Sequence, residues 1–260
     1  MSLSGAIAVL IPAFNEAGGL PAVLAALPAD AWGVPIVPVV IDDGSEDQTA
    51  DVAAAGGARV ERLTVNQGGG AALRRGFALA RAESAAFVVT MDADGQHLPG
   101  DLTRLLEPVV QGHAELAIGS RVIGTAEPNT FARDLGIRVF NRLASFLTST
   151  EISDCSNGYR AMRAEILDSL DLRQEQFHTS EFLIQALAHG IRVVEVPVTV
   201  ARRTHGVTKK PRTLGYGFGF AQAIVVTWLR TRSVRAARPS RRSGCTPNAP
   251  EPFAPGRRDA

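Results

Sequence analysis

The chain has 260 residues, 45% of them hydrophobic, which is enough for one full α/β core with an appendage. Its formal net charge of +1 conceals an uneven distribution: residues 1–200 carry 14 arginines and no lysine against 24 acidic residues, net −10, and residues 201–260 carry 13 basic against 2 acidic residues, net +11. The acidic body has no basic patches interleaved with aromatics, which argues against a nucleic-acid partner, and Cys155 and Cys245 lack the spacing of a disulfide framework or zinc site.

Short apolar runs alternate with helical patterns, as a parallel βαβ sheet requires. In chain order the expected strands are Ala6–Ile11, Ile36–Ile41, Ala58–Leu63, Ala86–Met91, Glu115–Gly119 and Val193–Val198. The expected helices are Gly19–Ala26, Thr49–Ala54, Gly70–Ala82, Gly100–Gln111, Arg133–Leu147 and Ser180–His189. The N-terminus enters its first strand without the charged leader and apolar core of a signal peptide. No run reaches the roughly 20 apolar residues of a spanning helix. The nearest, Leu214 to Leu229, is interrupted by three glycines and a glutamine.

Two helical stretches carry apolar and basic residues together. Leu135, Val139, Leu143 and Leu147 recur every four residues, with Arg138 and Arg142 between them. Either this helix packs on its own core, or its apolar face touches lipid while the arginines hold headgroups. The same question arises for Phe218, Phe220, Ile224, Val225, Val226, Trp228 and Leu229, followed by Arg230, Arg232 and Arg235. The basic end calls for an anionic partner, either phosphate groups or a membrane surface. The expected organisation is a catalytic domain over 1–212, an amphipathic interface helix over 213–235, and a disordered, Pro- and Arg-rich tail over 236–260.

Chemistry points first to Asp92-Ala93-Asp94, at the end of Ala86–Met91. An extended backbone sends alternate side chains the same way, so both carboxylates can converge on one hard cation, with Gln96 supplying another oxygen. A second acidic strand end, Asp42-Asp43-Gly44-Ser45, follows Ile36–Ile41. Ligands of open α/β sheets bind at such carboxyl ends. Asn15 and Glu16 follow the first strand at the same edge, and Phe14 offers a flat surface for a base. Gly68 to Gly70, before a helix, form either an anion-binding turn or a simple left-handed turn.

In order, the motifs are Ile11-Pro-Ala-Phe-Asn-Glu16, Ile41-Asp-Asp-Gly-Ser45, Asn66-Gln-Gly-Gly-Gly70, Met91-Asp-Ala-Asp-Gly-Gln-His97, Gly119-Ser-Arg121, Ser153-Asp-Cys-Ser-Asn-Gly-Tyr-Arg160 and Arg203-Thr-His-Gly-Val-Thr-Lys209. Over about residues 5 to 230 this series resembles the family 2 glycosyltransferases of GT-A fold, in particular the dolichyl- and polyprenyl-phosphate sugar transferases. The resemblance implies a Rossmann-like, mostly parallel sheet flanked by helices. It implies a nucleotide-sugar site lined by Pro12, Phe14, Glu16, Ile41, Asp43, Asp92, Ala93, Asp94 and Gln96, with Mg2+ or Mn2+ on Asp92, Asp94 and Gln96. It puts Arg121 near the acceptor phosphate and Arg203 with Lys209 at the donor diphosphate. Asp154 matches an acceptor-side aspartate, better suited to a positioning or electrostatic role than to that of a base. Glu181 is either another acceptor-side group or a structural helix carboxylate.

The implied reaction is inverting transfer of a hexose to a polyprenyl phosphate at the cytoplasmic membrane face. GDP-mannose is the first choice of donor and UDP-glucose the second. Attachment would be peripheral, or would use a partner subunit in the membrane. Two rivals remain: a soluble or polysaccharide acceptor, and a catalytically silent nucleotide-sugar-binding subunit. Gly69, where the family often has a long residue, is the one departure that hints at the latter.

Overall fold

The computed structural model describes residues 2–126, 131–203, 214–236 and 246–247. The strands are β1 (Ile7–Ala13), β2 (Asp30–Ala31), β3 (Val34–Asp42), β4 (Arg59–Arg62), β5 (Phe87–Thr90), β6 (Leu116–Ala126), β7 (Arg160–Arg163), β8 (Val193–Val200) and β9 (Thr246–Pro247). The helices are α1 (Leu20–Ala25), α2 (Thr49–Ala55), α3 (Gly69–Ala82), α4 (Leu102–Val110), α5 (Phe131–Thr148), α6 (His178–Ala188), α7 (Leu214–Arg230) and α8 (Arg232–Ala236). They form one sheet of order β2-β3-β1-β5-β7-β6-β8-β9, with β4 also on β3.

The sheet is mixed rather than simply parallel. β1 pairs in parallel with β3 and β5, and β6 with β8, but β7 enters antiparallel to both β5 and β6. No expected strand covered Arg160–Arg163, because two arginines in four residues break the apolar run. Burial is possible because Arg160 donates to Asn157 O (3.1 Å) and Thr179 O (2.6 Å). Two residues of the tail expected to be disordered, Thr246–Pro247, pair with Val194 and Glu195.

Strand alternation divides the core into two layers. Ala8, Leu10, Val39 and Ile41 face a layer closed by Leu73 and Phe77 of α3, Phe182 of α6, and Phe220 and Ile224 of α7. Ile7, Val9, Ile11 and Val40 face the other, where α4 contributes Leu102, Leu105, Leu106 and Val109. That spacing of three and four residues gives α4 one apolar face. Fully burying each such side chain is worth about 1.5–3 kcal/mol. Gly76 lets α3 approach the sheet, since a Cβ there would lie 2.9 Å from Ile41 Cδ1.

The four-residue stripe on α5 does not stay on one side. Phe140, Leu143 and Leu147 pack against the core, whereas Leu135, Val139 and Phe146 are 51%, 52% and 81% exposed. Four residues turn a helix by about 400°, so such a stripe winds around it. Helix α7 lies against α5 through Phe140 and Phe220 (centroids 4.7 Å apart) and through Trp228 Nε1, which donates to Leu147 O (2.5 Å). It leaves Phe218, Val225, Val226 and Leu229 outward. Among the described residues no helix is long and apolar enough to cross a membrane.

Candidate active site

The strands β1, β3 and β5 end together, so Glu16, Asp43, Asp92 and Asp94 gather at one edge of the sheet. β5 stops at Thr90, and residues 93–95 form a turn before His97 bridges to Val200. Asp92 N–H donates to His97 Nδ1 (3.1 Å), and Gly95, at φ 74°, turns the chain. The two carboxylates are therefore brought close by a turn, not by strand alternation. His97 Nδ1 accepts, so Nε2 carries the proton and donates to Asn157 Oδ1 (2.9 Å). The ring stacks on Tyr159 (4.9 Å), making His97 the post around which the acidic turn is built.

Asp94 is buried and faces Arg203, whose Nη2 lies 2.5 Å from its Oδ2; Arg203 Nη1 reaches Glu16 Oε1 at 3.4 Å. Burial and the adjacent Asp92 charge push the Asp94 carboxyl above its usual range, against the opposing pull of the Gln96 N–H and Arg203. The Asp92 side chain is 47% exposed, and a Cβ on Gly158 would lie 3.3 Å from its Oδ1. Asp92 thus stands between the Asp94 side and the segment that holds Arg121. Two like charges that raise one another's cost suit a hard cation, which would replace Arg203 at Asp94 Oδ2, since Oδ1 accepts from Gln96 N (3.0 Å). Among the described residues no cluster of three His, Cys, Asp or Glu side chains accompanies them. Magnesium commonly binds one or two carboxylates and takes its other ligands from water and substrate phosphates. Gln96 is oriented by its amide nitrogen and backbone, which leaves the side-chain Oε1 for a cation. Its Nε2 donates to Ala201 O (3.2 Å) and its O accepts from Ala201 N (2.9 Å), tying the turn to the end of β8.

Arg121 sits where β6 departs from regular pairing with β8, between Ser120 and Thr125. Such irregularities re-aim side chains. Its Nε donates to Asp154 Oδ2 (2.7 Å), and Nη2 donates to Asp154 Oδ1 (3.1 Å) and Ser156 Oγ (2.5 Å). Burial alone would lower the guanidinium pKa, but the charge and hydrogen bonds of Asp154 outweigh it and raise it. Asp154 is fully buried, so it holds Arg121 and is not open to an incoming acceptor. Its loop is fixed by Glu195 of β8, which accepts from Ser153 N (3.0 Å) and Asp154 N (2.9 Å). Burial raises the Glu195 pKa despite those donors. Glu195 and Ser156 were missed as site residues; a lone acid inside the apolar run Val193–Val198 was the available signal.

Several expectations need correction. Ile41 and Ala93 are buried in the core, so any part they take in lining a ligand site would be through the backbone. Asp43 is pinned at the sheet edge, accepting from Gln67 N and Gly68 N at 2.8 Å each, and each oxygen keeps a second acceptor site for a ligand. Burial raises its pKa and those two donors only partly offset it. In the Gly68–Gly70 turn two of the three N–H groups are taken, Gly68 N by Asp43 and Gly70 N by Glu175 O (2.7 Å), which leaves Gly69 N alone to meet an anion. Glycine is needed at 70 because a Cβ would lie 2.1 Å from Gln174 O. Glu181 is the structural alternative, fully buried and accepting from Arg173 N and Gln174 N. Pro12 and Phe14 are half-buried beside the edge, and Lys209 lies outside the described residues.

Residues 8–171 match the family described as Glycosyl transferase family 2. The chain belongs to that family. It is 37% identical over 213 residues to polyprenol monophosphomannose synthase of Mycolicibacterium smegmatis, covering 77% of this chain and 79% of that one. It is 31% identical to dolichyl-phosphate hexose transferase of Haloferax volcanii, covering 87% and 95%. Glucosyl-3-phosphoglycerate synthase of Mycobacterium tuberculosis, solved with Mn2+, UDP and product, superimposes with a TM-score of 0.64 at 23% identity over 88% of this chain and 80% of that one. This last likeness establishes the GT-A fold. The chain is accordingly a glycosyltransferase, with its acidic turn and paired arginines at the sheet edge.

Proposed function

We propose that this enzyme transfers a hexose, mannose from GDP-mannose as first choice and glucose from UDP-glucose as second, to a polyprenyl phosphate. The observation that carries the reading is the pair of charged groupings flanking Asp92, with Arg203, Glu16 and Asp94 in one and Arg121, Asp154 and Ser156 in the other. A nucleoside diphosphate and a phosphate monoester bring several negative charges together, and two arginines on opposite sides suit two anions. The names of the relatives in Mycolicibacterium and Haloferax support a lipid-phosphate acceptor.

Asp92 and Asp94 would hold Mg2+ or Mn2+, which when bound supplies positive charge to the departing diphosphate. Arg203 would add a guanidinium to the same diphosphate, and Lys209 a further charge. Arg121, kept in place by Asp154, would orient the acceptor phosphate. A phosphate monoester has its second pKa near 6, so its oxygen is already ionised at neutral pH and no residue need remove a proton. This agrees with an Asp154 that is buried and occupied.

The enzyme would work peripherally at the cytoplasmic membrane face, alone or with a membrane subunit. In support, α5 and α7 turn Leu135, Val139, Phe146, Phe218, Val226 and Leu229 outward, with Arg138, Arg142 and Arg232 also exposed. Apolar side chains rimmed by arginine suit an anionic lipid surface.

The test is incubation with labelled GDP-mannose, UDP-glucose or UDP-N-acetylglucosamine, Mg2+, and a polyprenyl phosphate in vesicles. Labelled lipid from GDP-mannose is expected. Transfer only to a soluble phosphate or a polysaccharide would overturn the lipid acceptor, and nucleotide binding with no transfer at all would favour the silent subunit.

A further inference from the structure

The segment between β7 and α6 lies far from the acidic turn in sequence, yet it seats the loop that Asp43 holds. Gly70 N donates to Glu175 O (2.7 Å), and Arg74 Nη1 donates to Gln174 O (3.0 Å), so the first turn of α3 rests on residues 174–175. Immediately before that turn, Gln67 and Gly68 donate both N–H groups to Asp43. The 171–175 segment is itself held from below. Glu181 accepts from Arg173 N (2.9 Å) and Gln174 N (2.8 Å), and Arg230 at the end of α7 donates to Glu181 Oε1 (2.6 Å) and Asp171 O (2.8 Å). The Glu181 side chain is fully buried, whereas that of Arg230 is 25% exposed and follows the outward Leu229.

We infer that Glu181 and Arg230 are positioning residues for the nucleoside diphosphate, acting through the 173–175 segment on the α3 turn and so on Asp43. The inference rests on the donor-site reading above and adds to it a dependence of donor binding on the outer helix. The physical reason is rigidity in series. A buried carboxylate shared by two N–H groups and a guanidinium fixes the segment. A glycine with no room for a side chain then transmits that position to the neighbouring turn. Arg230 bonds to Asp171 O and Glu181 and not to Arg121 or Asp154, so the acceptor side does not lean on it directly.

The experiment is isothermal titration of GDP and of UDP, each with Mg2+, into the full chain and into Arg230→Ala, Arg230→Lys, Glu181→Gln and Arg74→Met, with circular dichroism to establish folding. Arg230→Ala is expected to raise the nucleotide dissociation constant about tenfold, with partial recovery in Arg230→Lys. Arg74→Met, which releases the same segment from its other side, should show the same defect. The KM for polyprenyl phosphate should stay within about twofold, because general loosening of the fold would move both substrates. Folded Arg230→Ala and Arg74→Met proteins that bind nucleotide like the parent would overturn the inference and leave the proposed function standing. A parent chain that binds neither nucleotide would overturn both.

Discussion

Asp154 offers the sharpest test of how the acceptor side works. If it is a positioning group, its whole contribution passes through Arg121. Replacing Asp154 with Asn removes the charge and at least one of the two bonds to the guanidinium, at 2.7 and 3.1 Å, and leaves the Ser156 hydroxyl as the remaining partner. Breaking a buried pair from one side costs about 3–5 kcal/mol when the abandoned charge stays buried. The Arg121 side chain is 14% exposed and keeps one partner, so the lower end of about 3 kcal/mol is expected. Arg121→Ala should cost about 2.7–4 kcal/mol in transfer, the usual loss on removing one donor to developing or bound charge, or roughly 100- to 1,000-fold in rate. The decisive assay is a double-mutant cycle in kcat/KM for the lipid acceptor, with urea unfolding run on the same four proteins. The double variant should be no slower than Arg121→Ala alone, because Asp154 has nothing left to position. Losses that add in full, together with disappearance of an acidic limb from the pH–rate profile in Asp154→Asn alone, would refute the argument and make Asp154 the base.

Gly70→Ala should destabilise the fold by more than about 3 kcal/mol in urea melts or abolish GDP binding, because its Cβ would meet backbone at 2.1 Å rather than a flexible side chain. By contrast, Gly69→Ala meets only His178 Cε1 at 3.5 Å and should be nearly neutral in both measurements. Burial pushes the Cys155 thiol up to about 12 from an ordinary 9.0, so the unfolded chain ionises first and stability falls as pH rises from 9 towards 12. By pH 11 that loss is about 2–3 kcal/mol, and Cys155→Ala should show less alkaline destabilisation than the parent in denaturant midpoints. Asp94→Asn should abolish transfer and weaken Mn2+ binding in the presence of GDP while leaving the circular dichroism unchanged; Mn2+ binding equal to the parent would remove the acidic turn from the metal site. Phe218→Asp should reduce sedimentation with anionic vesicles at least tenfold without altering GDP affinity.

Much of the molecule was legible along the chain because it depends on local order. Six apolar runs gave six strands, the helical stretch Gly100–Gln111 gave a helix, and acids directly after strands marked the functional edge of the sheet. The order of motifs pointed to the family without any contact being known, and the family match over residues 8–171 bears it out. Side-chain partnership was another matter. Whether Asp154 is a base or a strut, whether Gly68 and Gly70 offer N–H groups, and whether Glu181 faces a substrate depend on partners separated by 33, 25, 105 and 49 residues. Burial decides these cases, since a carboxylate removed from water keeps its charge only by taking nearby donors, and those donors are then spent. β7 shows the same rule for backbone: its sequence is too polar for an inner strand, and Asn157 O, Thr179 O and the Phe182 ring make Arg160 tolerable there. Sequence determined which groups reach the edge of the sheet; packing alone decided which remain available to a substrate.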